Sequence, residues 1–247
     1  MIFTIANKEF RSLFATPSTW LILGALQFIF AWFFLARLDA YLQVQAQLAF
    51  VANAPGATMT IASPLFGTLA LMLMMLIPLF TMRLLAEERR NQTLVFLLAA
   101  PVSSSQIVIG KFLSLLLFIS LVIASCTLML AILGFGTYLD FGLLLANALG
   151  LLLLTASYAA LGLYLSALTK QPIVAALSAT ALSFGLWLID IGGADNANAL
   201  RALSPTAHAQ SLNAGLIFSA DIIYFTLFIA TFLLLTIRRV NNNRLYA

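Results

Sequence analysis

From Phe112 to Leu139 the chain runs 28 residues without one Asp, Glu, Lys, Arg or His, and residues 40–82, 141–169, 171–189 and 222–237 are equally free of them. About 20 mostly apolar residues cross a hydrocarbon layer as a helix. Six segments have that character: about 18–36, 61–82, 107–133, 141–168, 172–189 and 222–237. A transmembrane β-barrel needs alternating apolar and polar residues, and runs such as LALMLMMLIPLF and LLLLTASYAALGLYL do not alternate. The expected fold is an all-α membrane protein with six spans. Composition agrees, for 63% of the 247 residues are hydrophobic and only 8% charged. Twenty formal charges cannot wet a soluble surface of this size, which excludes a soluble enzyme, a disordered linker and a nucleic-acid-binding module.

Local signals mark the ends of the spans. Pro17 and Pro172 stand where the first and fifth helices should begin, a position where proline loses no needed N–H bond. Ser103 and Gln106 have capping-box spacing before the third helix. Pro78 interrupts the second and predicts a kink. Lys8 and Arg11 precede the first span as in a signal peptide, but its apolar run is too long and LARLDA is a poor cleavage site, so a retained helix is expected. With six spans, Lys8, Arg11, Arg83, Arg89, Arg90, Lys111, Lys170, Arg238, Arg239 and Arg244 fall on one side, and only Arg37 and Arg201 on the other. Glu9, Glu87 and Glu88 join the ten bases; Asp39, Asp140, Asp190, Asp195 and Asp221 face the two. The positive-inside rule then places both termini in the cytoplasm.

No ionisable side chain lies near the middle of a span, where proton relays and ion paths carry them. Gly-x-Ser-x-Gly and His-Glu-x-x-His are absent, the single Cys126 sits in an apolar run, and the single histidine, His208, reads as a local hydrogen-bonding residue in an external loop. Gly110-Lys111 lacks the upstream glycine and the following Ser/Thr of a phosphate loop. Neither a catalytic set, a metal site nor a cofactor site is expected in this chain. An intramembrane lipid-modifying enzyme and a channel or secondary carrier are disfavoured on the same grounds.

Specific function must then lie at the membrane surface. Residues 1–16 place Phe3, Ala6, Phe10, Leu13 and Phe14 on one helical face and Thr4, Lys8, Glu9, Arg11 and Ser12 on the other, an interfacial amphipathic helix. The connection 83–106 carries Glu87-Glu88-Arg89-Arg90, then an apolar run from Thr93 to Ala100, then Pro101 and a polar turn. Leu94, Leu97 and Leu98, outside the spans, need a surface to bury against. Either a partner protein or the chain's own helices would serve.

AEERRNQTLVFLLAAPVSSSQIVIGKF resembles the segment after the second helix in permeases of the type-2 ABC exporter superfamily. There an acidic pair (here Glu87 and Glu88) precedes a Gly-Thr or polar pair (Gln92 and Thr93). An apolar stretch (Leu94 to Ala100), Pro-Val-Ser (Pro101 to Ser103) and Gly-Lys-Phe (Gly110 to Phe112) follow. Gln92 stands where glycine is usual. The C-terminal stretch, with His208, Gly215, Asp221, Tyr224-Phe225 and closing basic residues, is similar to gliding-motility-type (GldF-like) permeases, with nitrous-oxide-reductase maturation (NosY-like) permeases as the competing branch. The resemblance implies a multi-pass subunit of the bacterial inner membrane that binds no cofactor itself. Its partners would be an ABC ATPase holding ATP and Mg2+, a second permease copy or homologue, and in the gliding-motility branch a periplasmic-domain accessory membrane protein. Residues 83–106 would hold the coupling helix, with Glu87, Glu88, Arg89, Arg90, Gln92, Thr93, Leu94, Leu97, Leu98 and Pro101 meeting the ATPase. A membrane anchor that recruits an ATPase without transporting anything is the other reading left open.

Ala175 and Ala179, four apart on the fifth helix, form a small-residue face suited to close helix contact, either with a second permease or within one subunit. Residues 190–220 are too long and apolar for a simple turn and are expected to hold short re-entrant helices, with Asp195 and His208 near the outer mouth.

Overall fold

The computed structural model describes residues 1–48, 56–92, 102–136, 138–192 and 201–245. Every regular element among them is helical. Eight helices carry the architecture: α1 (Ile2–Ala15), α2 (Pro17–Leu48), α3 (Ser63–Met82), α4 (Ser104–Ala131), α5 (Phe141–Leu168), α6 (Pro172–Gly192), α7 (Pro205–Asn213) and α8 (Ser219–Leu245). Six continuous helical stretches are long and apolar enough to cross a membrane: Pro17–Gln45, Thr58–Arg90, Ser104–Phe135, Phe141–Leu168, Pro172–Gly192 and Ser219–Asn242.

The expected punctuation is present. α2 and α6 begin at Pro17 and Pro172. The capping box closes at α4, where Gln106 N donates to Ser103 Oγ at 3.3 Å and Ser103 N donates to Gln106 Oε1 at 3.2 Å. Several helices run past the hydrocarbon-length segments. α2 continues beyond residue 36 through Arg37 and Asp39, and the second spanning helix continues beyond Met82 as a π-helical stretch, Arg83–Glu87, and an α-turn, Glu88–Arg90. Hydropathy measures only the part of a helix that needs lipid, whereas helix length also follows from backbone hydrogen bonding that continues into polar surroundings.

α5 is the axis of the bundle. It packs against α3, α4, α6, α7 and α8, and its buried residues include a series of small ones: Ala146, Gly150, Ala156, Ser157, Ala159, Ala160, Gly162, Ser166 and Ala167. Lipid provides no hydrophobic drive between membrane helices, so they associate through close packing that small residues permit. At Gly162 a Cβ would lie 2.4 Å from Thr81 Oγ1, which fixes the α3–α5 separation. Gln27, a polar side chain within the first apolar stretch, finds partners on α4: Ser125 Oγ donates to its Oε1 at 3.4 Å, and its Nε2 lies 3.9 Å from Met129 Sδ.

Ala175 and Ala179 lie inward. Each is 1% exposed within the single chain, on the side of α6 that packs against α3 and α5. Of the two uses open to this small-residue face, the structure takes packing within the subunit. Ile173, Val174, Leu177 and Leu188 form the exposed surface of α6 instead.

Gly162→Ala should cost about 1–3 kcal/mol through overpacking against Thr81. Adding Thr81→Ala should recover most of that loss, read as thermal unfolding midpoints of the detergent-solubilised chain; equal midpoints for the wild type and Gly162→Ala would contradict the close approach.

Candidate functional site

The end of the bundle bearing both termini carries a buried ionic junction. Lys111, about two turns into α4, has a side chain with no exposed area. Its Nζ lies 3.1 Å from Glu9 Oε1 on α1 and 2.7 Å from Glu88 Oε1 at the stem of the 83–106 connection. A lysine taken fully out of solvent keeps its charge only when anions and hydrogen bonds replace water. Two carboxylates do so here, and Lys8 Nζ, 4.0 Å from Glu9, balances the second negative charge. One ammonium thereby ties together the surface helix, the third span and the extension of the second.

Gly110 makes the junction possible. A Cβ there would lie 2.9 Å from Ile5 Cγ2 and 3.2 Å from the Ile2 carbonyl, so α1 rests directly on the α4 backbone. Phe112 beside it is buried in the apolar core. In Gly110-Lys111-Phe112 the glycine admits α1, the lysine holds it, and the phenylalanine anchors α4 in the core.

The side of α1 packed on the bundle carries Glu9 as well as apolar residues. Ala6 and Leu13 are buried, Ile2, Ile5, Phe10 and Phe14 half-buried, and Glu9 lies among them; Phe3 is 80% exposed. The sequence pattern groups Phe3 with Ala6, Phe10, Leu13 and Phe14 and sets Glu9 on the polar face; pairing with Lys111 brings Glu9 to the side packed on α4. Phe14 meets Phe118 and Trp20 at ring-centroid distances of 5.4 and 5.6 Å, and Trp20 Nε1 donates to the Phe14 carbonyl at 2.8 Å, holding the elbow between α1 and α2.

The stem of the connection is built around a π-helical bulge. π-turns break the usual i→i+4 pairing and are frequent at functional sites. Ser166 Oγ, fully buried on α5, accepts from Ala86 N at 2.9 Å and lies 3.3 Å from the Met82 carbonyl as donor. The hydroxyl replaces the lost backbone bond between residues 82 and 86. Arg89 Nη1 donates to the Ala167 carbonyl at the C-terminal end of α5, a favourable place for a cation. Gln92 then takes φ +56°, the left-handed conformation in which a glycine is normally favoured. Glycine is the residue usual at this place in the permeases that the segment resembles, and the backbone gives the reason.

Among the residues expected to meet an ATPase, Glu87, Arg90 and Gln92 are exposed, while Glu88 and Arg89 turn partly inward to Lys111 and Ala167. Thr93, Leu94, Leu97, Leu98 and Pro101 lie outside the described residues, as does Asp195. Lys111, Glu9 and Ser166 were not legible as a site. Glu9 and Lys111 are 102 positions apart, and the only hint was a lone lysine after a glycine inside an apolar run.

At the opposite end, α7 is the short helix expected within 190–220. It presses on Gly150 of α5, where a Cβ would come within 2.7 Å of Leu212 Cβ. His208 Nδ1 lies 2.6 Å from Asp221 Oδ1 and Nε2 lies 3.0 Å from the Ala202 carbonyl, both acceptors. The ring stacks on Tyr224 at 4.0 Å, and Ser211 donates to the other Asp221 oxygen. His208 thus fastens α7 to α8, the local hydrogen-bonding role expected of it.

In comparison with known protein families, the model described as "ABC-2 family transporter protein" matches residues 3–239. No curated protein matches the chain.

Lys111→Met should destabilise the protein by about 3 kcal/mol, because it takes from Glu9 and Glu88 the buried cation they share. The triple variant Glu9→Gln, Lys111→Met, Glu88→Gln should regain most of this; unfolding midpoints that rank otherwise would refute the junction. Ser166→Ala should cost about 1–3 kcal/mol for the backbone groups it abandons. Gln92→Gly should gain up to about 1 kcal/mol by removing left-handed strain, measured by the same midpoint.

Proposed function

This chain belongs to the ABC-2 transporter family, and from that premise we propose that it is the membrane-spanning permease of an ATP-driven transporter whose ATPase is a separate subunit. In this reading the end bearing Lys8, Arg11, Arg90 and Arg238 faces the cytoplasm of a bacterial inner membrane, as the charge asymmetry favours. The partner ATPase binds ATP and Mg2+; this chain supplies no phosphate loop of its own. A second permease copy or a homologue completes the transmembrane part, and the exposed apolar face of α6 is available to it. The finer branch we favour is the gliding-motility type, on the C-terminal residues His208, Gly215, Asp221 and Tyr224-Phe225.

The observation that carries the mechanism is the Lys111 junction. A push on residues 93–101 reaches the stem at Glu88, and Lys111 passes it to α1 and α4 together, because the three elements share one buried ammonium. Arg89 and Ser166 pass the same displacement to α5. Rigid-body movement of packed helices is the usual way in which such a local motion becomes a global one. Glu87 and Arg90, exposed beside the stem, set register against the ATPase, and Leu94, Leu97 and Leu98 bury against it.

Glu87→Ala and Leu97→Asp should each lower substrate-stimulated ATP hydrolysis by about tenfold in a complex reconstituted with the ATPase, since a buried leucine or a charge at such a contact carries 1–2 kcal/mol or more. Both variants should still insert and assemble at wild-type levels. Wild-type stimulation in both would overturn the assignment of this connection as the coupling element.

A further inference from the structure

A cavity of about 390 Å3 lies between α3, α5, α6 and α7, at the end away from the termini. This volume is within the range of small-molecule sites. Its wall on α5 is a single helical stripe, Asn147, Gly150, Leu151, Leu154 and Tyr158, which extends about 16 Å along the helix. Phe66, Leu71, Met74 and Trp187 make the facing walls apolar.

Two polar atoms in this wall lack a partner. The Tyr158 hydroxyl and Asn147 Oδ1 are both buried without a hydrogen bond, in residues only 1% and 2% exposed. Buried polar atoms are nearly always paired, and an unpaired one costs about 1–3 kcal/mol. Asn147 is otherwise engaged: its Nδ2 donates to Ser63 Oγ at 3.2 Å. At the mouth, Asp190 is already satisfied, by Arg201 Nε at 3.2 Å and Gln210 Nε2 at 2.7 Å. No basic side chain is among the described lining residues. Asn147 Oδ1 therefore calls for a neutral hydrogen-bond donor, the Tyr158 hydroxyl for a group that accepts from it or donates to it, and the remaining walls for an apolar chain. A carboxylate or phosphate would find no further cation there, because Arg201 is already engaged by Asp190.

We propose that this cavity is a binding site for a neutral, single-chain amphiphile bearing hydroxyl or amide donors, of the monoacylglycerol type, with Asn147 and Tyr158 as its polar contacts. Gly67 keeps the space open from α3, for a Cβ built there meets nothing within 4 Å although the residue lines the cavity. The site does not rest on ATP coupling, and its test needs no ATPase.

Trp187 lines the cavity, so its fluorescence reports occupancy in full-length protein in nanodiscs with Trp20→Phe and Trp32→Phe. The probes are a dibromododecanoyl glycerol, the dibromododecanoate anion and a dibromododecane, matched in chain. Saturable quenching by the glyceride, about tenfold weaker for the other two, is the expected result. Tyr158→Phe and Asn147→Leu should each weaken glyceride binding by about tenfold, and Gly67→Phe should abolish saturation. Tyr158→Phe keeps the shape of the wall, so a folding defect in another variant does not blunt the test. Linear quenching of equal strength for all three probes, equal or tighter binding of the anion, or an unchanged midpoint in both Tyr158→Phe and Asn147→Leu would overturn the proposal.

Discussion

A lysine without exposed area on a membrane helix can stay charged only where the protein supplies the solvation that water would have given. Lys111 receives it from Glu9 and Glu88, and much of the surrounding arrangement follows. α1 must lie close enough to α4 for Glu9 to reach, which requires Gly110 beneath Ile5. The helix must present Glu9 to α4. The second spanning helix must extend past the apolar limit of its span to carry Glu88 to the ammonium. A salt bridge of this kind adds little to stability compared with an apolar replacement, but once its partners are buried each depends on the others. That mutual dependence makes it suited to holding three elements in one register.

The same logic governs the uncharged backbone. Water is scarce around these helices, so any break in the regular ladder must be mended by a side chain. The π-bulge at Arg83–Glu87 is mended by Ser166, a hydroxyl that both donates and accepts. Gly150 and Gly162 let α7 and α3 approach α5 to distances that any Cβ would prevent. α5 is consequently a rigid axis that receives the stem at one end through Ser166 and Arg89, and α7 at the other. The two ends of the bundle are thus built on one helix.

Much of this was legible in the order of residues. Helix starts at Pro17, Pro172 and Ser104 follow from proline geometry and a capping box, which act within four residues. The six apolar stretches follow from the length of helix that a membrane requires. The pattern of α1 groups Phe3 with Ala6, Phe10, Leu13 and Phe14 and leaves Glu9 on the polar face, because the order of residues does not show that a lysine 102 residues away will claim Glu9. Ala175 and Ala179 marked a contact face, while the identity of the neighbour needed the fold.

By itself, then, the sequence determined solvent, spans, helix ends and the asymmetry of basic residues, since each depends on local composition or on interactions within a turn or two of helix. The resemblance of residues 87–112 to a permease segment was likewise carried by contiguous residues. Tertiary structure alone decided the partners of Lys111, the role of Ser166 in the bulge, the inward placement of Ala175 and Ala179, and the unpaired Tyr158 and Asn147 in the cavity wall. These are juxtapositions of residues far apart in the chain, and burial assigns them their energetic weight. A charge or hydroxyl costs little in water and much in the interior, so its meaning appears only when the helices that enclose it are in place.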